Sequence, residues 1–395
     1  MKKTMISALV LLGMSASAHA ESLIDIYKQA QEKDPQLQQA KAQRDAAFET
    51  INEADAANPP HTNLGADLNY QKTNQDDKAT AGTAGADLGL SQAIYRRSNW
   101  INSGITSKQA TQSDVSYNLA KQDLMMRTAQ SYFAVLSAID ALEYVKANLE
   151  AVKLQLDETQ QRYNVGMIAI TDVQEAKAAY DQALADQINA ENTLANSYES
   201  LRQLTGTDHK SLDLLDTSRF TPSPLTDNSD SWMKKAEDSN LQLNSQRIAK
   251  DIANQQIDLA KTGHEPTLDL GANLGSTYTD YKNNRPGYED GTLSEASIGF
   301  KFNLPLYTGG AVDSRVKQAQ FNYVAASEAL EQTHRSVQST LNQNYNDVHA
   351  AIGSVKAYQQ SVVSAESALT ATKAGYEVGT RTVVDVLNST QKLYS

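Results

Sequence analysis

Leu64-Gly65-Ala66, entered through Asn58-Pro59-Pro60, returns 206 positions later as Leu270-Gly271-Ala272, entered through Glu265-Pro266. Tyr163-Asn164-Val165-Gly166, with Asp172-Val173 beyond it, returns 213 positions later as Tyr376-Glu377-Val378-Gly379, with Asp385-Val386 beyond it. Two long copies at nearly one offset mean an internal duplication, and so small a drift needs only loop insertions. The copies occupy about 21–215 and 216–395. Two copies of this length do not make a solenoid.

Each copy opens with a stretch rich in Ala, Gln, Lys and Glu, at roughly 22–57 and 230–262, which predicts helix ended by proline. Alternating segments follow. Leu64, Ala66, Leu68 and Tyr70 alternate with Asn63, Gly65, Asp67 and Asn69, and Ala296, Ile298, Phe300 and Phe302 with Ser297, Gly299, Lys301 and Asn303. Period two predicts β-hairpins, over about 62–95 and 267–307, each with one apolar face. That face could pack on a soluble core, or meet lipid as the wall of a barrel with a wet lumen. The strands approach the roughly 9–11 residues that a tilted span needs. Tyr70, Tyr95, Tyr278 and Tyr307 stand at strand ends, as aromatic girdles do. Four strands cannot close a barrel, and lipid tolerates no open edge, so a membrane wall requires several copies of the chain. The pattern does not choose between two copies and three.

The remaining segments predict very long helices. Val135, Leu142, Leu149, Leu156 and Tyr163 recur every seven residues, as do Val348, Val355, Val362, Leu369 and Tyr376. A strict seven-residue repeat implies left-handed supercoiling. From Val312 to Gly375 there is no proline, a span of about 95 Å as one helix. Such a helix is a spacer, a coiled coil or a tube wall. At the turns, Gly166 and Gly379 suit the left-handed residue that ends a helix. Thr171 with Gln174 fits a capping box, and Asp172 and Asp385 lie in first turns, where a carboxylate favours the helix dipole.

Met1-Lys2-Lys3, the apolar run Ile6–Met14 and Ala18-His19-Ala20 predict a secretory leader over 1–20, cut before Glu21. The leader holds two lysines and no acid, so its loss takes the net charge from −12 to 33 − 47 = −14. A chain this acidic is a poor partner for nucleic acid. Absence of cysteine excludes disulfides, thiolate metal sites, a cysteine nucleophile and a lipid-modified Cys. No nucleophile elbow, P-loop, zinc motif or dinucleotide loop is present, so neither catalysis nor a cofactor is expected. His61, His209, His264, His334 and His349 show no metal-ligand spacing and are expected at the surface or in caps.

Arg44-Asp45-Ala46-Ala47-Phe48-Glu49, Leu304-Pro305-Leu306-Tyr307 with Gly309-Gly310, and Tyr376-Glu377-Val378-Gly379-Thr380-Arg381-Thr382-Val383-Val384-Asp385-Val386-Leu387 resemble the outer-membrane efflux protein family, and the resemblance runs from Glu21 to Ser395. It implies a mostly α chain with a membrane β component. Three copies share a twelve-stranded barrel in the outer membrane, continued by a coiled-coil helical tunnel in the periplasm. It implies an exit duct for drug and bile-salt efflux and for type I secretion, docked on an inner-membrane pump through a periplasmic adaptor. By the same resemblance Asp385 and its neighbour one turn on, here Asn388, ring the closed entrance. Tyr376 and Arg381 latch it through Gln161, Thr171 and Asp172, and Gly166 and Gly379 mark the tips. The family pattern has a second aspartate where this chain has Asn388, so half the ring's carboxylates are expected to be missing. Ser395 corresponds to Gln182 at the 213 offset, whereas the first-copy helix runs on to about Gly206; the C-terminal helix is therefore expected to be cut short.

Overall fold

The computed structural model describes residues 20–72, 80–216, 223–282 and 289–394. The expected leader lies outside them, Ala20 excepted. The helical stretch expected at 22–57 is two helices, α1 (Leu23–Lys33) and α2 (Pro35–Asp55). Asp34 separates them with an extended backbone, and its carboxylate accepts the Leu37 N–H at 3.0 Å. A capping carboxylate satisfies one orphan donor of the first turn, and proline at the first position has no N–H to orphan. The second copy breaks in the same way. Asn240, between α5 (Ser229–Ser239) and α6 (Leu241–Lys261), accepts the Leu243 N–H at 3.0 Å. The long helices are α3 (Arg97–Asn164) and α7 (Ala311–Glu377), of 68 and 67 residues, separated in each copy from the tip helices α4 (Ile170–Thr205) and α8 (Val383–Tyr394).

The chain forms two compact units, and each draws on both copies. One comprises 39–119 and 229–342 and holds the sheet. Its strands β1 (His61–Lys72), β2 (Thr80–Tyr95), β3 (Thr267–Tyr281) and β4 (Gly291–Asn303) are antiparallel in the order β1-β2-β3-β4. The second hairpin stops at Asn303, short of the expected 307, because Pro305 has no N–H to continue a ladder. The hairpins share one register. His61 faces Ser91 and Thr267 faces Asn303; Leu68 faces Ala84 and Leu274 faces Ala296. β1 thus maps on β3 with an offset of 206 and β2 on β4 with an offset of 212.

The apolar face of this sheet is bare. Leu68 is 85% exposed and Ile298 77%, with Leu64, Phe300 and Phe302 also open. A hairpin packing on a soluble core would bury these residues, so that alternative fails. Arg96 grips Asp269 through two bonds of 3.0 and 2.9 Å, and Arg97 meets Glu265 at 2.6 Å, fixing the end of β2 and start of α3 to β3. Where the chain enters β3, a Cβ on Gly263 would stand 2.9 Å from a Val312 methyl. Gly263→Ala should therefore cost about 1–3 kcal/mol by overpacking, and Val312→Ala in the same chain should recover most of it. Urea unfolding of the two variants checks this.

The other unit comprises 20–38, 120–216, 223–228 and 343–394 of the described residues. Its core is Ile26, Tyr132, Val135, Leu136, Leu201 and Leu212, with Leu23, Ile139, Leu194 and Tyr198 packed against them. Glu21 bridges the segment 211–213 through backbone bonds of 3.1 and 3.0 Å. The Tyr132 hydroxyl donates to the carbonyl of Asp213 at 2.7 Å. His209 departs from its expected surface or cap role. Its side chain is 1% exposed, with Nδ1 at 2.5 Å from Glu21 Oε2 and Nε2 at 2.7 Å from Thr205 Oγ1. An isolated histidine shows no periodicity, so the sequence carries no sign of this burial. The seven-residue lines also divide. Val135 is buried, but Val348, Val355 and Val362 are 42%, 36% and 49% exposed, and α3 instead buries Val152, Gln155 and Thr159. The valine seam of α7 has no cover among the described residues.

Candidate functional site

Both long helices end in the same motif. Gly166 and Gly379 have φ of 77° and 80°, the left-handed region that costs glycine nothing. Gly166 N–H donates to the Tyr163 carbonyl at 2.8 Å and Met167 N–H to Arg162 at 2.9 Å. In the second copy Gly379 N–H donates to Tyr376 at 3.1 Å and Thr380 N–H to Gly375 at 2.9 Å. This crossed pair satisfies carbonyls that a helix end leaves orphaned.

Beyond the turns the copies differ. The capping box expected at Thr171 and Gln174 does not form. α4 begins two residues earlier than such a cap requires, at Ile170, and its cap residue Ala169 has no side-chain cap to offer. The box stands in the other copy. Asp385 Oδ2 accepts the Thr382 N–H at 2.9 Å and the Thr382 hydroxyl at 3.0 Å, while Asp385 N–H reaches Thr382 Oγ1 at 3.2 Å. The sequence signal was Thr382 three residues before Asp385, the pattern sought in the wrong copy. Thr382's amide, then its hydroxyl, hold the Asp385 carboxyl below the usual carboxylate range. A depressed acid stabilises above its unfolded pKa and loses that contribution as pH falls through the folded one. The cap should therefore hold unchanged from neutral pH down to the usual carboxylate range and fail only below it. Thr382→Ala should cost about 0.5–2 kcal/mol at pH 7, and less in strong acid, where only the bond from the Asp385 N–H to the hydroxyl remains to be lost; thermal melting across pH measures both.

Asp385 and Asn388 lie three apart on α8, hence on neighbouring positions of one face, and Asn388 is exposed. Tyr376 is buried with Val383 and Val386, and Leu369 and Leu387 pack against them. The Arg162 guanidinium lies 4.7 Å from the centre of its ring. Arg162 also bonds Glu158 at 2.7 Å. The Tyr376 hydroxyl is buried and has no hydrogen-bond partner among the described residues. Gln161, Thr171 and Arg381 are exposed at the same end of this unit, and Arg381 lies over Gly375, its Cγ 2.8 Å from where a Cβ would stand there. Within one chain, then, no bond joins Tyr376 to Gln161. Sequence reasoning missed Arg162. Its counterpart at the 213 offset is Gly375, so the repeat itself gave no reason to single it out.

Residues 26–207 and 232–395 match the family model described as outer membrane efflux protein. The outer membrane protein TolC of Vibrio cholerae serotype O1 is 45% identical over 383 residues, covering 96% of this chain and 86% of its own. The proteases secretion protein PrtF of Dickeya chrysanthemi is 28% identical, covering 100% and 87%. The crystal structure of the outer membrane protein VceC from Vibrio cholerae superposes with a TM-score of 0.74 at 18% identity, covering 94% of this chain and 90% of that one. With its duplicated turns, its bare-faced sheet and these matches along both copies, the chain belongs to the outer membrane efflux protein family.

Proposed function

We propose that three copies of this chain form an outer-membrane exit duct serving drug and bile-salt efflux and type I secretion. It is a passive conduit opened at its periplasmic end when a periplasmic adaptor and an inner-membrane pump dock. The observation that carries this is the exposed apolar face of a four-stranded sheet whose outer strands have free edges among the described residues. In lipid such a sheet is complete only when copies join edge to edge. Closed, the entrance is latched by Tyr376 and Arg381 bonding Gln161, Thr171 and Asp172. The buried, unpaired Tyr376 hydroxyl supports a partner arriving with assembly, since a buried hydroxyl left alone costs about 1–3 kcal/mol. Asp385 and Asn388 line the constriction. Converging carboxylates there favour cations, so Asp385→Ala should lower cation selectivity and Asn388→Asp should raise it.

Deleting the gene should sensitise cells to bile salts and dyes, and the intact gene should restore resistance. Normal resistance in the deletion strain would leave a general-diffusion pore without a pump. Detergent-extracted protein should run at the mass of three chains.

A further inference from the structure

The outer strands β1 and β4 each present one unpaired edge among the described residues. Four strands are too few to close a barrel. The partner that completes both edges is a second copy of this chain, and this inference rests on the trimeric duct proposed above. The duplication states which residues meet at the seam. We propose that β4 of one subunit pairs antiparallel with β1 of the next in the register that β2 and β3 hold inside the chain, which sets Lys301 against the partner's Asp67.

The offsets of 212 and 206 carry every pair of the first hairpin on to a pair of the second. Hairpin follows hairpin within the chain through β2 and β3, and between chains through β4 and β1. The same offsets therefore carry the β2–β3 register on to the seam. Gly89 facing Asn273 becomes Lys301 facing the partner's Asp67. Leu88 facing Leu274 becomes Phe300 facing the partner's Leu68, and Leu90 facing Ala272 becomes Phe302 facing the partner's Ala66.

The chemistry of the two edges, which played no part in that mapping, agrees with it. Apolar residues meet apolar residues on one face, and polar residues meet on the other. A slip of one position would turn Lys301 toward lipid. A slip of two would face it with the partner's Gly65 or the partner's Asn69, neither of them charged. Lys301 has no ion pair among the described residues. Asp269, its neighbour across the β3–β4 ladder, is taken by Arg96 at 2.9 Å. Among the described residues Asp67 receives only the Asn69 amide, at 2.8 Å. Glycines fall where polar side chains need room. Within the chain Gly65 faces Asp87 and Gly85 faces Asp67. Across the seam Gly299 would face the partner's Asn69.

The absence of native cysteine makes the test direct. Full-length chains carrying Asp67→Cys with Lys301→Cys, or Ala66→Cys with Phe302→Cys, are oxidised in outer membranes. These are consecutive rows, so one of them is a non-hydrogen-bonded pair with Cα atoms about 4.5 Å apart, inside disulfide range. At least one design should give covalent trimers on denaturing gels. Pairs shifted by two, Gly65→Cys or Asn69→Cys with Lys301→Cys, should crosslink about tenfold less, their side chains lying roughly 7–8 Å apart. Charge exchange gives a readout independent of oxidation: Lys301→Asp should lower trimer yield, and adding Asp67→Lys should restore it. Trimers that crosslink best through a shifted pair, or a charge exchange without rescue, overturn the register and leave the duct standing. Crosslinks confined to monomers, or no oligomer at all, overturn both.

Discussion

Tyr376→Phe combined with Arg381→Ser should open the closed channel, while each change alone should leak only slightly. A hydrogen bond contributes about 0.5–1.5 kcal/mol net, and up to about 3 where a guanidinium meets a carboxylate. With the set repeated in three subunits, the proposed latch would hold the entrance shut by several kcal/mol, and a two-state equilibrium responds steeply once most of that is removed. The structure adds a control. The Tyr376 hydroxyl is unpaired in the single chain, so Tyr376→Phe keeps the ring under Arg162 and against Val383 and leaves subunit folding intact. A conductance rise in that variant then reports the latch and not misfolding. Planar-bilayer conductance and vancomycin entry into cells measure the effect. A double variant that conducts no better than its parent would confine these residues to covering the turn.

Asp34→Ala should be the most damaging single change to the fold. The Asp34 side chain is 4% exposed and receives Arg127 at 3.3 and 2.9 Å, while the same carboxylate caps α2 through Leu37. Truncating one partner of a buried pair leaves an uncompensated charge and costs about 3–5 kcal/mol. Arg127 keeps Asp123 at 2.6 Å, which places the loss at the lower end. Asp34→Asn should fall between the parent and Asp34→Ala, since an amide oxygen still caps but no longer balances the guanidinium. A thermal midpoint lowered equally by both variants would mean that the charge contributes everything and the cap nothing.

Much of this was open to reading in the chain itself. Period-two alternation located all four strands because a sheet with one face in lipid keeps the pattern strict. The glycines at 166 and 379 were legible because a left-handed turn admits few other residues. The break at Asn240 was not, since the composition of its helices runs through it unchanged and only a capping side chain marks the stop; at Asp34 the mark was Pro35, which the even composition on either side hid. His209 escaped because its burial depends on Glu21, 188 positions away. The partners proposed for Tyr376 were implied by family resemblance, not by spacing.

The unequal helix starts at the two turns also bear on how force would pass through them. α8 is clamped at its first turn by Thr382 and Asp385, in both directions. Among the described residues α4 has only the Ala169 carbonyl there, taken by Asp172 N–H at 3.2 Å. A helix pulled at its end gives way where the fewest groups hold it. Under the same load α4 would shed its first turn while α8 still moved as a rigid lever.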